Sequence, residues 1–123
     1  MNDKILIVED EETILSVLVK KLTECGFSVD TANDGETGLD KALNNNRDLI
    51  LLDIVMPKMD GLTFIENYNQ DKQTNKAPII ILSNLDNAEK IKECKEKGVY
   101  DYLVKTNWSL DDVVSKVKTA LGN

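Results

Sequence analysis

Histidine is absent from the sequence. Its absence removes imidazole acid–base chemistry, histidine-ligated zinc and any role as a phosphohistidine donor. Cysteine is scarce: Cys25 and Cys94 are the only two, each in a helix-like segment, and they read as reduced structural thiols rather than a disulfide framework. Positive charge is in deficit, with 15 Lys and Arg against 22 Asp and Glu and a formal net charge of −7. That balance argues against binding nucleic acid or an anionic membrane. No apolar run approaches the roughly 20 residues of a bilayer span, and the opening MNDKILIVED is too short in apolar residues for a signal peptide. A cytoplasmic location is the expectation. No repeat, low-complexity tract or linker interrupts the chain. What is present, 41% hydrophobic and 30% charged residues in a 123-residue chain, fits one globular domain over 1–123 with its own core.

Four apolar runs stand out: Lys4–Glu9, Asp48–Asp53, Pro78–Ser83 and Asp101–Lys105. The first three are unbroken Ile/Leu/Val, as strands covered on both faces are. Phe27–Ala32 alternates apolar and polar residues, which suits an edge strand. Between the runs lie helical stripes. Leu15, Leu18, Val19 and Leu22 recur at three- and four-residue steps over Glu12–Cys25, with Gly26 as the stop. Weaker stripes cover Gly35–Asn45, Leu62–Asn69 and Asp86–Lys97. The last, Ser109–Leu121, carries Leu110, Val113, Val114, Val117 and Leu121 with Ser109 as N-cap. Asp71–Ala77 reads as a surface loop. Five strand–helix alternations mean a parallel sheet with helices on both faces.

In such sheets ligands bind beyond the carboxyl ends of the strands. There the runs close on Glu9-Asp10, Asp53, Ser83-Asn84 and Lys105-Thr106. If the strand order is 2-1-3-4-5, a common one for this architecture, Glu9, Asp10 and Asp53 converge on one crevice. Three close carboxylates repel, and a divalent cation with a taste for hard oxygen, such as Mg²⁺, relieves the repulsion. Lys105 adds a fixed positive charge and Ser83 a hydroxyl, an inventory suited to a tetrahedral oxyanion. Singly, each residue has a plainer reading: Asp53 as a turn residue, Glu9-Asp10 as acids at a helix start, Ser83 as a turn hydroxyl, Lys105 as a surface lysine, Tyr102 as packing. Independent caps have no reason to fall on the same end of four strands.

The quoted motifs, taken in order, resemble the receiver domain of two-component response regulators almost end to end. ILIVEDEE is similar to the family's first strand with its acidic pair, and LLDIVMPKMDG to its phosphoacceptor strand and loop. IIILSN is similar to the strand ending in Ser/Thr, and GVYDYLVK to the closing strand. The resemblance implies a flavodoxin-like (βα)5 fold with a five-stranded parallel sheet ordered 2-1-3-4-5. It also implies that Asp53 is phosphorylated by a phosphohistidine on a sensor histidine kinase or histidine phosphotransfer protein. Mg²⁺ would be held by Glu9, Asp10, Asp53 and the Val55 backbone carbonyl. Lys105 and Ser83 would contact the phosphoryl group, with Ser83 and Tyr102 as the switch: Ser83 moves, and Tyr102 rotates inward. The fourth helix, fifth strand and fifth helix would report the change to a downstream protein or output domain. Val55, Asn84 and Leu85 would line the path of the hydrolytic water and tune the lifetime, two of them apolar and unable to orient it. The domain assists its own phosphorylation and dephosphorylation without being an enzyme in the ordinary sense.

Two departures stand out. Thr106 follows Lys105 where the family usually has proline, and a trans Lys105–Thr106 bond with a rerouted loop is expected. Asn84 stands where a smaller residue is commoner. Three other readings compete. A pseudo-receiver without phosphotransfer would lack an acid, the lysine or the hydroxyl, and none is missing. A flavodoxin-like cofactor binder needs a Ser/Thr/Gly-rich loop where EDEET stands. A phosphatase needs a second, separate general acid. The last apolar helix runs almost to Asn123, which reads as a stand-alone receiver or the front of a longer regulator.

Overall fold

Branched aliphatic residues fill β1 (Lys4–Val8), β3 (Leu49–Leu52) and β4 (Ile79–Ser83), joined by β2 (Ser28–Ala32) and β5 (Asp101–Val104). Between and after them run α1 (Glu12–Glu24), α2 (Gly35–Asn44), α3 (Gly61–Gln70), α4 (Ala88–Glu96) and α5 (Leu110–Ala120). The computed structural model describes residues 3–44, 46–56, 58–72 and 76–122. Asn45 of the second helical stripe, Pro57 and residues 73–75 of the expected surface loop lie outside the described residues, as do residues 1, 2 and 123 of the expected domain.

All strand pairings are parallel, in the order β2-β1-β3-β4-β5. This is the flavodoxin-like α/β sheet expected from the alternation and the resemblance. The two-residue period of a strand sorts each run between two cores. Leu6, Val8, Ile50, Leu52, Ile79 and Ile81 pack with Ala42 of α2, Phe64, Ile65 and Tyr68 of α3 and Cys94 of α4. Ile5, Ile7, Leu49, Leu51, Ile80 and Leu82 pack with Leu18 and Leu22 of α1 and Val113, Val114 and Val117 of α5. Each such side chain contributes about 1.5–3 kcal/mol by leaving water, so a run apolar at every position serves both layers at once.

The helix boundaries follow local chemistry. Cys25 closes α1 and Gly26 takes the left-handed φ of 96° that a side chain would oppose. Helix α4 starts at Ala88, two residues after the expected Asp86, because the Asn87 side chain accepts from the Glu89 and Lys90 amides as N-cap. Ser109 and Asp112 form a reciprocal capping box on α5. The fifth run stops at Val104 rather than Lys105, since Lys105–Asn107 fold into a 3-10 turn. No peptide bond among the described residues is cis, so Lys105–Thr106 is trans, as the missing proline led us to expect. Among the described residues no helix is long and apolar enough to cross a membrane. Both cysteines are free thiols.

Candidate functional site at the carboxyl edge of the sheet

Strand register brings the site together. Val8 lies opposite Leu52, and the Asp53 amide donates to the Val8 carbonyl at 3.0 Å, so the acids that follow β1 and β3 become neighbours. One oxygen from each of Glu9, Asp10 and Asp53 lies within 4.8 Å of the others. Glu9 and Asp53 are buried, 2% and 6% exposed, while Asp10 faces solvent. Ser83, the last residue of β4, is buried beside them. Lys105 reaches back from the end of β5, its ammonium 2.5 Å from Glu9 Oε1, 3.2 Å from Asp53 Oδ2 and 3.7 Å from Glu11 Oε1.

The backbone fixes the carboxylates further. The Val55 N–H donates to Asp53 Oδ1 at 3.1 Å and the Glu11 N–H to Glu9 Oε2 at 3.1 Å. Asp10, Glu11, Asp53, Val55, Ser83, Asn84 and Leu85 line one cleft of about 420 Å³. Glu9 and Lys105 stand outside that lining. Burial pushes the Glu9 carboxyl up to about 7 despite the Lys105 ammonium and the Glu11 amide, with the Asp53 charge adding to the rise. Burial would lower Lys105, but Glu9 and Asp53 outweigh it and hold the ammonium above its ordinary value. One cation therefore serves two buried acids, and Glu9 remains under-compensated.

Such a donor set fits Mg²⁺. It consists only of hard oxygens, and an ion about 2.0–2.1 Å from each ligand nearly spans the spread of the three. Two buried acids beside one ammonium make a setting in which a further positive charge is favoured.

Two features escaped the sequence reading. Glu11, which the sequence reading did not single out, is the α1 N-cap without a side-chain cap and joins Lys105 at the rim; the acidic run EDEE was the available signal. Tyr102 is already inward, 7% exposed, with its hydroxyl donating to the Leu85 carbonyl at 2.5 Å. Burial raises its phenol, and the nearby Ser83 hydroxyl opposes the rise. The Ser83 Oγ also accepts from the Leu85 N–H at 3.2 Å. Ser83, Leu85 and Tyr102 thus form one polar junction, and the expected inward rotation has no outward starting point here, because the phenol finds its acceptor inside.

The chain is similar to known proteins over nearly its whole length. The family model described as Response regulator receiver domain matches residues 5–118. The alkaline phosphatase synthesis transcriptional regulatory protein PhoP of Bacillus subtilis is 39% identical over 121 residues, 98% of this chain and 49% of its own length. The chain spans about half the length of the curated relatives it matches. The Francisella response regulator 1452 receiver domain superposes with a TM-score of 0.89 at 33% identity, covering 98% of both chains. The CheX-CheY-BeF3-Mg complex from Borrelia burgdorferi gives a TM-score of 0.86 at 34% identity, covering 95% of this chain and 87% of that one. With four strand ends converging on an acidic pocket and a family match over nearly its whole length, the chain belongs to the response regulator receiver domains, the phosphoacceptor signalling modules of two-component systems.

Proposed function

We propose that Asp53 accepts a phosphoryl group from a phosphohistidine on a sensor histidine kinase or histidine phosphotransfer protein, in a Mg²⁺-dependent reaction. The observation that carries this is the setting of its carboxylate: buried, one oxygen tied to the Val55 N–H and the other to Lys105, with Glu9 and Asp10 alongside. An Asp53 oxygen attacks phosphorus, the P–N bond to the donor imidazole breaks, and its electron pair returns to the imidazole, which takes up a proton. The Val55 N–H fixes the rotamer of the nucleophile, so the attacking oxygen is positioned before the donor arrives. Lys105 offers its ammonium to the phosphoryl oxygens. Glu9, Asp10, Asp53 and the Val55 carbonyl would hold Mg²⁺, which when bound supplies countercharge to those oxygens.

Phosphorylation replaces one carboxylate charge with about −1.5 to −2. Ser83 is the nearest hydroxyl able to turn toward the new oxygens. Its oxygen accepts from the Leu85 N–H, and the Leu85 carbonyl accepts from Tyr102, so redirecting it alters the junction that joins β4, the segment before α4 and β5. The response is a shift between existing arrangements of that junction, read by a downstream protein or output domain on the α4–β5–α5 face. Val55 and Leu85 offer no group to orient a hydrolytic water, and a long-lived phosphoryl Asp53 follows, with Asn84 as the counterweight. A cytoplasmic receiver domain over residues 1–123 completes the reading.

Intact-mass spectrometry after treatment with acetyl phosphate and Mg²⁺ tests it. The chain should gain one phosphoryl group, and Asp53→Asn should gain none. An adduct on Asp53→Asn would move the acceptor elsewhere, and a wild-type chain that stays unmodified would favour a receiver fold without phosphotransfer.

A further inference from the structure

The loop between β3 and α3 carries Val55, and it is held at two places. At its base the Gly61 N–H donates to the Ile54 carbonyl at 2.9 Å. A Cβ on Gly61 would lie 2.5 Å from Ile54 Cα, so the two ends touch backbone to backbone. The crown is held by another element, the start of α2. A Cβ on Gly35 would fall 2.1 Å from the Met59 carbonyl oxygen and 2.9 Å from Met59 Cβ, so the first turn of α2 abuts the loop with no room for a methyl group. One residue earlier, Asp34 is 7% exposed. Its carboxylate accepts from the Thr37 N–H at 2.7 Å and the Thr37 hydroxyl at 3.2 Å, and its Oδ2 lies 3.9 Å from the Lys58 ammonium. Lys58 itself sits at a left-handed φ of 69°, a conformation that costs a side-chain-bearing residue and persists where its surroundings impose it.

We infer that Asp34 and Gly35 are positioning residues for the metal site, an abutment that sets the β3–α3 loop and with it the Val55 backbone beside Asp53. The inference rests on the proposed Mg²⁺ site. The loop yields rather than the helix, for a packing reason. Helix α2 is fixed by the Asp34 cap, by buried Ala42 and by Gly38, where a Cβ would lie 2.7 Å from the Val8 side chain. Around Met59 the loop is half-buried and Lys58 is exposed. A methyl group at position 35 meets a backbone oxygen, which cannot rotate away as a side chain would. The displacement passes along the loop toward Val55, because Ile54 and Gly61 hold the base.

Gly35→Ala should weaken Mg²⁺ binding about tenfold, the usual scale for disturbing groups that orient a metal's ligands. Calorimetric titration of the unphosphorylated chain reads this directly. A purely structural role would lower the melting temperature in EDTA and leave the metal affinity alone. With acetyl phosphate as donor, the half-saturating Mg²⁺ concentration should rise while the rate at saturating Mg²⁺ stays near wild type. Lys58→Ala keeps α2 untouched and removes the ion pair, and a loss of about threefold in Mg²⁺ affinity is expected from so exposed a contact. Equal Mg²⁺ affinity in folded Gly35→Ala and wild type overturns the inference. Should Gly35→Ala not fold, Lys58→Ala decides alone, a weaker affinity supporting the abutment and an unchanged one overturning it. A wild-type chain that binds no Mg²⁺ takes down the functional reading and the inference with it.

Discussion

Two clusters of three charges sit in the same domain and are built in opposite ways. On the flank of β2, one carboxylate serves two cations. Asp30 meets Arg47 at 2.6 Å and Lys41 at 3.2 Å, and Lys41 also donates to the Thr31 carbonyl at 2.6 Å. Burial would raise Asp30, but the Thr31 amide, Lys41 and Arg47 outweigh it and hold the carboxyl below its ordinary range. At the carboxyl edge of the sheet the ratio is reversed: two buried carboxylates share the Lys105 ammonium, and Glu9 is pushed up to about 7. The first arrangement is what folding favours at a partly exposed site. The second keeps an acid surplus, which a proton on Glu9 relieves and which the proposed Mg²⁺ would relieve further.

Removing the central charge from each cluster should separate them most. Lys105→Met leaves Glu9 and Asp53 buried without a counterion and should cost about 3 kcal/mol, the low end for a broken buried pair because Glu9 can take up a proton. Urea unfolding in EDTA measures it, and saturating Mg²⁺ should return part of the loss. Asp30→Asn should cost about 1–2 kcal/mol: its side chain is 39% exposed, yet it leaves Arg47, only 11% exposed, unpaired. Mg²⁺ should not change that figure. Equal losses, or equal rescue by Mg²⁺, would break the distinction between the clusters.

Acidity gives the next largest contrast, with opposite signs. The folded chain binds a proton at Glu9 more tightly than the unfolded chain does, so metal-free stability should fall as pH rises from about 4.5 through about 7. Asp30 is depressed below its ordinary 3.8, so its contribution is present above that value and lost as pH falls through its folded value. With no histidine in the chain, little else titrates in the upper window. Urea midpoints in EDTA should decline across that window in the wild type and flatten in Glu9→Gln. Asp30→Asn should instead make the limb below about pH 4 shallower without removing it, since Asp34, Asp101 and Asp112 are depressed as well. A wild-type decline that survives Glu9→Gln would assign the surplus to another group.

The strands and helices were legible because each apolar run exceeds what a turn could hide, and period-two sorting needs no tertiary knowledge. Boundaries moved where a side chain competed with the repeat, as at Asn87 and Lys105. Membership of the site was legible only collectively, through Glu9, Asp10, Asp53, Ser83 and Lys105 falling on strand ends. The ties themselves were not: Lys105 meets Glu9 across 96 positions of sequence, and the position of Tyr102 depends on a carbonyl acceptor at Leu85 that no sequence pattern marks. The Asp30 cluster was invisible for the same reason. Its members come from β2, α2 and the approach to β3, and each alone reads as an exposed charge.

The smallest effect sharpens the comparison at its rim. Glu11 lies 3.7 Å from the Lys105 ammonium, but its side chain is 54% exposed. Water screens that pair, and at physiological salt charges farther than about 8 Å apart hardly interact. Glu11→Gln should therefore change stability by no more than about 0.5 kcal/mol. It should still weaken Mg²⁺ binding by about twofold, because one negative charge near the carboxylates is lost. The two readouts differ in salt dependence. The Mg²⁺ effect of a rim charge should shrink as ionic strength rises, while the loss in Lys105→Met should persist, its partners being buried. Titrating Mg²⁺ into Glu11→Gln and wild type at low and high KCl checks this. A stability loss as large as that of Lys105→Met, or an affinity loss indifferent to salt, would make Glu11 a buried member of the cluster and place the boundary between frustrated core and screened rim one residue further out.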